Sequence, residues 1–67
     1  MIEITLNGES QNFPEPLTAL ELLRHLDLAG KRVAVELNGE ILPKSAHAKT
    51  KIKTGDVLEI VVSVGGG

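Results

Sequence analysis

The stretch LTALELLRHLDLAG, residues 17–30, carries the one convincing helix signal in the chain. Thr18 is a good N-cap residue, and Glu21 three positions later completes a capping box, which provides acceptors for two otherwise unpaired backbone N–H groups. Apolar residues then recur at helical spacing and form one stripe, with Leu20 at its edge: Ala19, Leu22, Leu23 and Leu26. Gly30 is placed to end the helix in a left-handed conformation. We therefore expect one amphipathic helix between two regions of different periodicity.

The region before the helix predicts a β-hairpin. Residues 2–6 alternate between apolar and polar, which is typical of a strand with one buried face. Asn7 and Gly8 supply the turn chemistry of a tight hairpin. Residues 10–13 can return as a second strand that places Phe13 on the core side.

The region after the helix returns to a period of two. Residues 33–37 and 57–64 predict strands, and Asn38 and Gly39 predict a second tight turn. The inward positions would be Val33, Val35, Leu37, Leu58, Ile60, Val62 and Val64. Residues 41–53 give a weaker signal, and we expect a short strand or a turn of 3₁₀ helix there. The basic run within it favours a solvated loop over a phosphate-binding surface: Lys44, His47, Lys49, Lys51 and Lys53.

One helix packed across one face of a mixed sheet is the simplest way to bury these stripes. We therefore predict an α+β fold with a mixed four- to five-stranded sheet and one main helix. Residues 1–64 would form the domain, and residues 65–67 a flexible tail of three glycines.

Composition excludes several classes of function. The chain has 67 residues, no cysteine, one aromatic residue and a net charge of −2. Without cysteine there is no thiol nucleophile and no soft-metal ligand, and stacking on single-stranded nucleic acid needs aromatic side chains. His25 and His47 stand alone in the sequence, so neither predicts a metal site or a catalytic triad. We expect a cytoplasmic protein that is not an enzyme, has no bound cofactor, and binds neither nucleic acid nor membrane.

The glycines at positions 65–67 predict a functional chain end. Without side chains, Gly65 and Gly66 would allow a narrow channel of another protein to reach the carboxylate of Gly67. Three extended residues would place that carboxylate roughly 10 Å beyond the fold. Ordering them costs about 1–2 kcal/mol each, so the folded body must supply additional docking surface.

The outer face of the sheet is the predicted docking surface. If the inward stripes are right, three strands place an acid outward, at Glu3, Glu36 and Glu59. Together with Val57 and Val61, these acids would suit a basic, partly apolar partner. The alternative is an ordinary solvated face.

The order of short motifs resembles a known family. The motifs are LNG at 37–39, ILP at 41–43, GD at 55–56 before an aliphatic strand, and the glycines at the end. This order is similar to the bacterial ubiquitin-like sulfur carriers, the ThiS/MoaD family, and most similar to their thiamine-pathway branch. The resemblance covers essentially the whole chain and implies a β-grasp (ubiquitin-like) fold.

The resemblance also implies a mechanism. An E1-like adenylyltransferase of the ThiF type would use ATP to adenylate the Gly67 carboxylate, and persulfide sulfur from a cysteine desulfurase would convert it into a thiocarboxylate. A thiazole synthase of the ThiG type would then take the sulfur for thiazole formation. Three alternatives stay open at this point. They are a molybdopterin-pathway sulfur carrier, a ubiquitin-like modifier joined to lysine, and a binding module that contacts RNA through the basic run.

Overall fold

The computed structural model describes residues 1–62, so the predictions for Ser63, Val64 and the three glycines lie outside the described residues. The elements in chain order are β1 (Ile2–Leu6), β2 (Glu9–Phe13), β3 (Leu17–Thr18), α1 (Ala19–His25), β4 (Val33–Leu37), β5 (Glu40–Leu42), a 3₁₀ helix (Lys44–Ala46), β6 (Lys51–Ile52) and β7 (Val57–Val62).

The main sheet has five strands in the order β2-β1-β7-β4-β5. β1 and β7 pair in parallel, and every other neighbour in this sheet is antiparallel. The predicted mixed sheet is therefore confirmed, with five strands where four or five were expected. β7 lies in the middle of it, so the strand that leads to the glycines is held on both sides.

The helix packs across one face of this sheet, as the two periodicities predict. The buried core combines inward residues from the strands with the helix stripe: Ile2, Ile4, Leu6, Phe13, Ala19, Leu22, Leu23, Val35, Ile52, Leu58 and Ile60. Val62 is an exception, because it was expected to face the core and is 37% exposed. It pairs with Val33 at the end of the β4–β7 ladder.

The helix begins where the sequence predicts and ends earlier. Both capping-box hydrogen bonds are present, since Thr18 Oγ1 accepts from the Glu21 N–H at 3.1 Å and the Thr18 N–H donates to Glu21 Oε1 at 2.8 Å. At the other end Asp27, with φ +62°, adopts the left-handed conformation that was predicted for Gly30. The Asp27 N–H donates to Arg24 and the Leu28 N–H donates to Leu23, which is a Schellman motif. Asp is one of the few residues other than glycine that tolerate this conformation.

Gly30 also has a positive φ, of +86°, but it serves a separate turn in which the Lys31 N–H donates to Leu28. The prediction of its conformation was therefore right, and the prediction that it ends the helix was wrong.

A short strand or a 3₁₀ turn was predicted for residues 41–53, and the structure has both: the end of β5, the 3₁₀ helix and the short β6. The prediction of a simple solvated loop was wrong in one respect. The lysines are exposed, but Ile52 is fully buried and His47 is 5% exposed. β6 pairs with β3 immediately before the helix, matching Leu17 with Ile52. This two-stranded ribbon fixes the segment against the core.

Candidate functional site

The exposed side of β7 carries an apolar and acidic surface. Val57 is 46% exposed and Val61 is 64% exposed, with the exposed Glu59 between them. On the neighbouring β4, Ala34 lies opposite Val61. We define the outer patch by its six residues: Ala34, Glu36, Ile41, Val57, Glu59 and Val61.

The strand register places two of the predicted acids side by side. Glu36 and Glu59 are direct partners in the β4–β7 ladder. Together with Gly39 and Val57 they line a shallow cleft of about 190 Å³. Like charges directly opposite each other on adjacent strands repel. A cationic group placed in this cleft would relieve that repulsion, so the cleft favours a basic partner.

Glu3 is exposed on β1, as predicted, but it lies apart from the Glu36–Glu59 pair. The parallel ladder between β1 and β7 covers only Thr5 and Leu6, so no β7 residue lies opposite Glu3. Its carboxylate instead accepts a hydrogen bond from Ser10 Oγ at 2.9 Å. The sequence placed all three acids on one face, but it did not give the stagger between β1 and β7.

Ile41 belongs to the outer patch although the sequence did not single it out. It is 68% exposed and pairs with Glu36 across the β4–β5 hairpin. A signal was available, because a two-residue turn at Asn38 and Gly39 fixes the register and places Ile41 opposite Glu36.

Two asparagine side chains hold β7 from opposite sides. They belong to the two LNGE sequences at residues 6–9 and 37–40. Asn7 Oδ1 accepts from the Ile60 N–H at 2.8 Å, and Asn7 Nδ2 donates to the Ile60 carbonyl at 3.3 Å. Asn38 Oδ1 accepts from the Val57 N–H at 2.9 Å. Side chains therefore fix β7, the strand that contributes three of the six outer-patch residues, at two points along its length.

Both turns have positive φ at both central residues: Asn7 +50°, Gly8 +82°, Asn38 +53° and Gly39 +86°. This is the conformation of type I′ hairpin turns. The shared tetrapeptide therefore reflects shared turn chemistry, with a second role in fastening β7.

Both histidines make contacts within the fold. The buried His47 places Nε2 3.1 Å from the Leu42 carbonyl oxygen, and because a carbonyl only accepts, Nε2 carries the proton. The His25 ring packs edge-on against Phe13 with ring centres 5.2 Å apart. Within residues 1–62, no group of three or more His, Asp or Glu side chains is arranged to hold a metal ion. In the same range, no helix has the length and apolar character needed to cross a membrane.

Of the predicted partner-binding residues, the structure brings together Glu36, Glu59 and Val61. Gly65, Gly66 and Gly67 lie outside the described residues, so their role stays a prediction. In sequence they follow Val61 within a few positions. The outer patch is therefore carried by the strand that leads to them.

Comparison with known proteins identifies the family. The model of the ThiS family matches residues 3–67. This chain belongs to the ThiS family. A solved structure in that family, the crystal structure of the thiamine biosynthesis protein ThiS from Geobacter metallireducens, is 39% identical and superposes with a TM-score of 0.84. The match covers 98% of this chain and 100% of that one. The predicted resemblance and the β-grasp fold are thereby confirmed.

Two curated relatives add detail. The sulfur carrier protein ThiS of Bacillus subtilis (strain 168) is 37% identical, over 96% of this chain and 98% of that protein. A thiazole synthase of Paramagnetospirillum magneticum is 44% identical over 98% of this chain. The chain spans only 20% of the length of that thiazole synthase.

Proposed function

We propose that this chain is the sulfur carrier for thiazole formation in thiamine biosynthesis, and that it serves as a protein co-substrate and not as an enzyme. The observation that carries the proposal is its family membership, together with an end-to-end match to a protein named as a sulfur carrier. The absence of cysteine fits this role, because the sulfur would travel on the chain end and every thiol would come from a partner.

The chemistry would take place at the Gly67 carboxylate. A carboxylate oxygen attacks the α-phosphorus of ATP and pyrophosphate leaves, which gives an acyl-adenylate. The terminal sulfur of a persulfide then attacks the carbonyl carbon, and AMP leaves with the carboxylate oxygen. A second thiol cleaves the remaining S–S bond and releases the thiocarboxylate. Activation is required because a free carboxylate has no good leaving group, whereas AMP is one. ATP is consumed by the activating partner and is not held by this chain.

The proposed partners are an E1-like adenylyltransferase and a thiazole synthase. The thiazole synthase relative supports the second partner, because a region similar to this whole chain forms part of that protein. We assign docking to the outer patch. Ile41 and Val61 provide apolar area, and the repelling Glu36–Glu59 pair provides the attraction for a basic surface.

Intact-mass measurement after incubation with the activating enzyme, ATP and a persulfide source tests the proposal. Exchange of one oxygen for sulfur raises the mass by about 16 Da. A chain lacking Gly66 and Gly67 should gain no mass while keeping its folded spectrum, because it loses no core residue. Ser45→Ala is the control, because it changes an exposed residue that is distant in sequence from the chain end, and this variant should gain the full mass. A ladder of larger conjugates would instead identify a protein modifier, and sulfur loading of the truncated chain would refute the role of the chain end.

A further inference from the structure

A second surface, on the helix side of the sheet, lies apart from the acids of the outer patch. It is a groove of about 650 Å³ beside the C-terminal end of α1, here called the helix groove. Leu20, Leu23 and Leu28 line it from the helix and the Schellman turn, and Val33 lines it from β4.

The helix groove has the opposite charge to the outer patch. Lys31, Arg32 and Lys44 line it and are exposed. No aspartate or glutamate is among its lining residues within 1–62. The two acids adjacent in sequence to lining residues, Glu21 and Asp27, are outside the lining. The groove is therefore lined by three of the seven lysines and arginines of a chain whose net charge is −2.

We propose that the helix groove docks an acidic segment of a partner protein, with aliphatic side chains against its leucines and carboxylates against its three cations. Charge complementarity selects this occupant, because the aliphatic lining alone would accept any apolar side chain. A volume near 650 Å³ lies within the range of about 300–1,000 Å³ that is typical of binding pockets. The helix groove shares only Ala34 and Val61 with the outer patch, and this proposal does not depend on the proposed function.

The groove and the outer patch meet at the end of the sheet. Ala34 and Val61 belong to the outer patch and also line the groove. One partner could therefore place a basic surface against the acids of the outer patch and an acidic segment against the cations of the groove. Alternatively, two partners of opposite charge could use the two surfaces separately. Either arrangement requires the groove to prefer acidic chains.

The test uses isotope-labelled full-length protein and two synthetic peptides of about twelve residues. One peptide alternates leucines with aspartates, and the other carries lysines in place of the aspartates. Amide shifts in two-dimensional NMR locate binding at affinities as weak as about 1 mM. We expect the acidic peptide to shift the amides of Ala29, Val33 and Ala48, and the basic peptide to leave them unchanged.

The variant K31E/R32E should weaken binding of the acidic peptide by about tenfold or more, and added salt should do the same. Both side chains are exposed, so the fold should be unaffected. Lys53→Glu is the matched control, since it reverses an exposed lysine that does not line the groove. It should change affinity far less.

Three results would overturn the proposal. The first is the absence of shifts at the groove amides with the acidic peptide. The second is an equal response to the basic peptide, or equal losses from K53E and K31E/R32E. The third is self-association of the protein in sedimentation that K31E/R32E abolishes, because the occupant would then be a second copy of the chain. None of these results depends on sulfur loading, so the proposed function is tested separately.

Discussion

Asn7 offers a direct test of how β7 is fixed in the sheet. Its side-chain amide makes two hydrogen bonds to Ile60, a residue 53 positions away. The Asn7 N–H also donates to the Leu58 carbonyl at 2.9 Å. The side chain thereby continues the parallel pairing of β1 and β7 by one step after the backbone of β1 has turned away.

The expected magnitude follows from two terms. Asn7→Gly removes both side-chain hydrogen bonds, at about 0.5–1.5 kcal/mol each, and keeps the turn free of strain, so the loss is about 1–3 kcal/mol. Asn7→Ala loses the same hydrogen bonds and also places alanine in a left-handed conformation that asparagine tolerates better, at about 1–2 kcal/mol more, which brings the total to about 2–5 kcal/mol. A domain of this size has a total stability of about 3–10 kcal/mol, so the alanine variant should be marginal.

Urea denaturation at neutral pH measures both free energies of unfolding, and thermal unfolding should show about 4–8 °C per kcal/mol. The control is Asn12→Ala, an exposed asparagine in β2, which should stay within about 0.5 kcal/mol of the parent chain. If Asn7→Gly were as stable as the parent chain, the side-chain clamp would contribute nothing. If the alanine and glycine variants were equal, the strain term would be wrong.

Three further predictions concern the segment 41–53, the helix start and the outer patch. Ile52→Ala should cost about 2–5 kcal/mol in urea denaturation, because it leaves a cavity at a fully buried site in a stretch that looks like loop. The Thr18 N–H, followed by the Thr18 hydroxyl, lowers the pKa of Glu21 from its ordinary value of 4.5. Ionised Glu21 therefore stabilises the fold above about pH 4.5, and its advantage over Glu21→Gln should fade as pH falls below that value. Glu59→Lys should weaken binding of the proposed partners while leaving stability unchanged or raised by about 0.2–1 kcal/mol, because the new lysine would lie opposite Glu36 in the ladder.

Lys51→Ala, next to Ile52 but exposed, should be nearly neutral, and equal losses at both positions would contradict burial as the cause. A Glu21→Gln difference that is constant from pH 3 to 7, as followed by thermal unfolding, would show that ionisation plays no part. If calorimetry showed unchanged partner affinity for Glu59→Lys, the acids would be ordinary solvated groups with no role in docking. Glu9→Lys, an exposed acid on the far edge strand, is the control for net charge.

The sequence by itself determined the features that depend on neighbours a few residues apart. The two Asn-Gly turns and the capping box of Thr18 and Glu21 rest on contacts that span two to four positions, and the alternation in β1, β4 and β7 is a pattern with a period of two residues. Each of these features can be recognised from the residue types within a few consecutive positions of the sequence. The motif order was enough to indicate the family.

Only the tertiary structure decided which distant residues meet. Ile52 is buried because β6 pairs with β3, and Glu36 meets Glu59 while Glu3 does not, because of the stagger between strands. The helix ends at His25 because a Schellman motif with a left-handed Asp27 forms before Gly30 is reached. Register and stagger follow from how all the stripes pack into one core, and a single window contains no record of that packing.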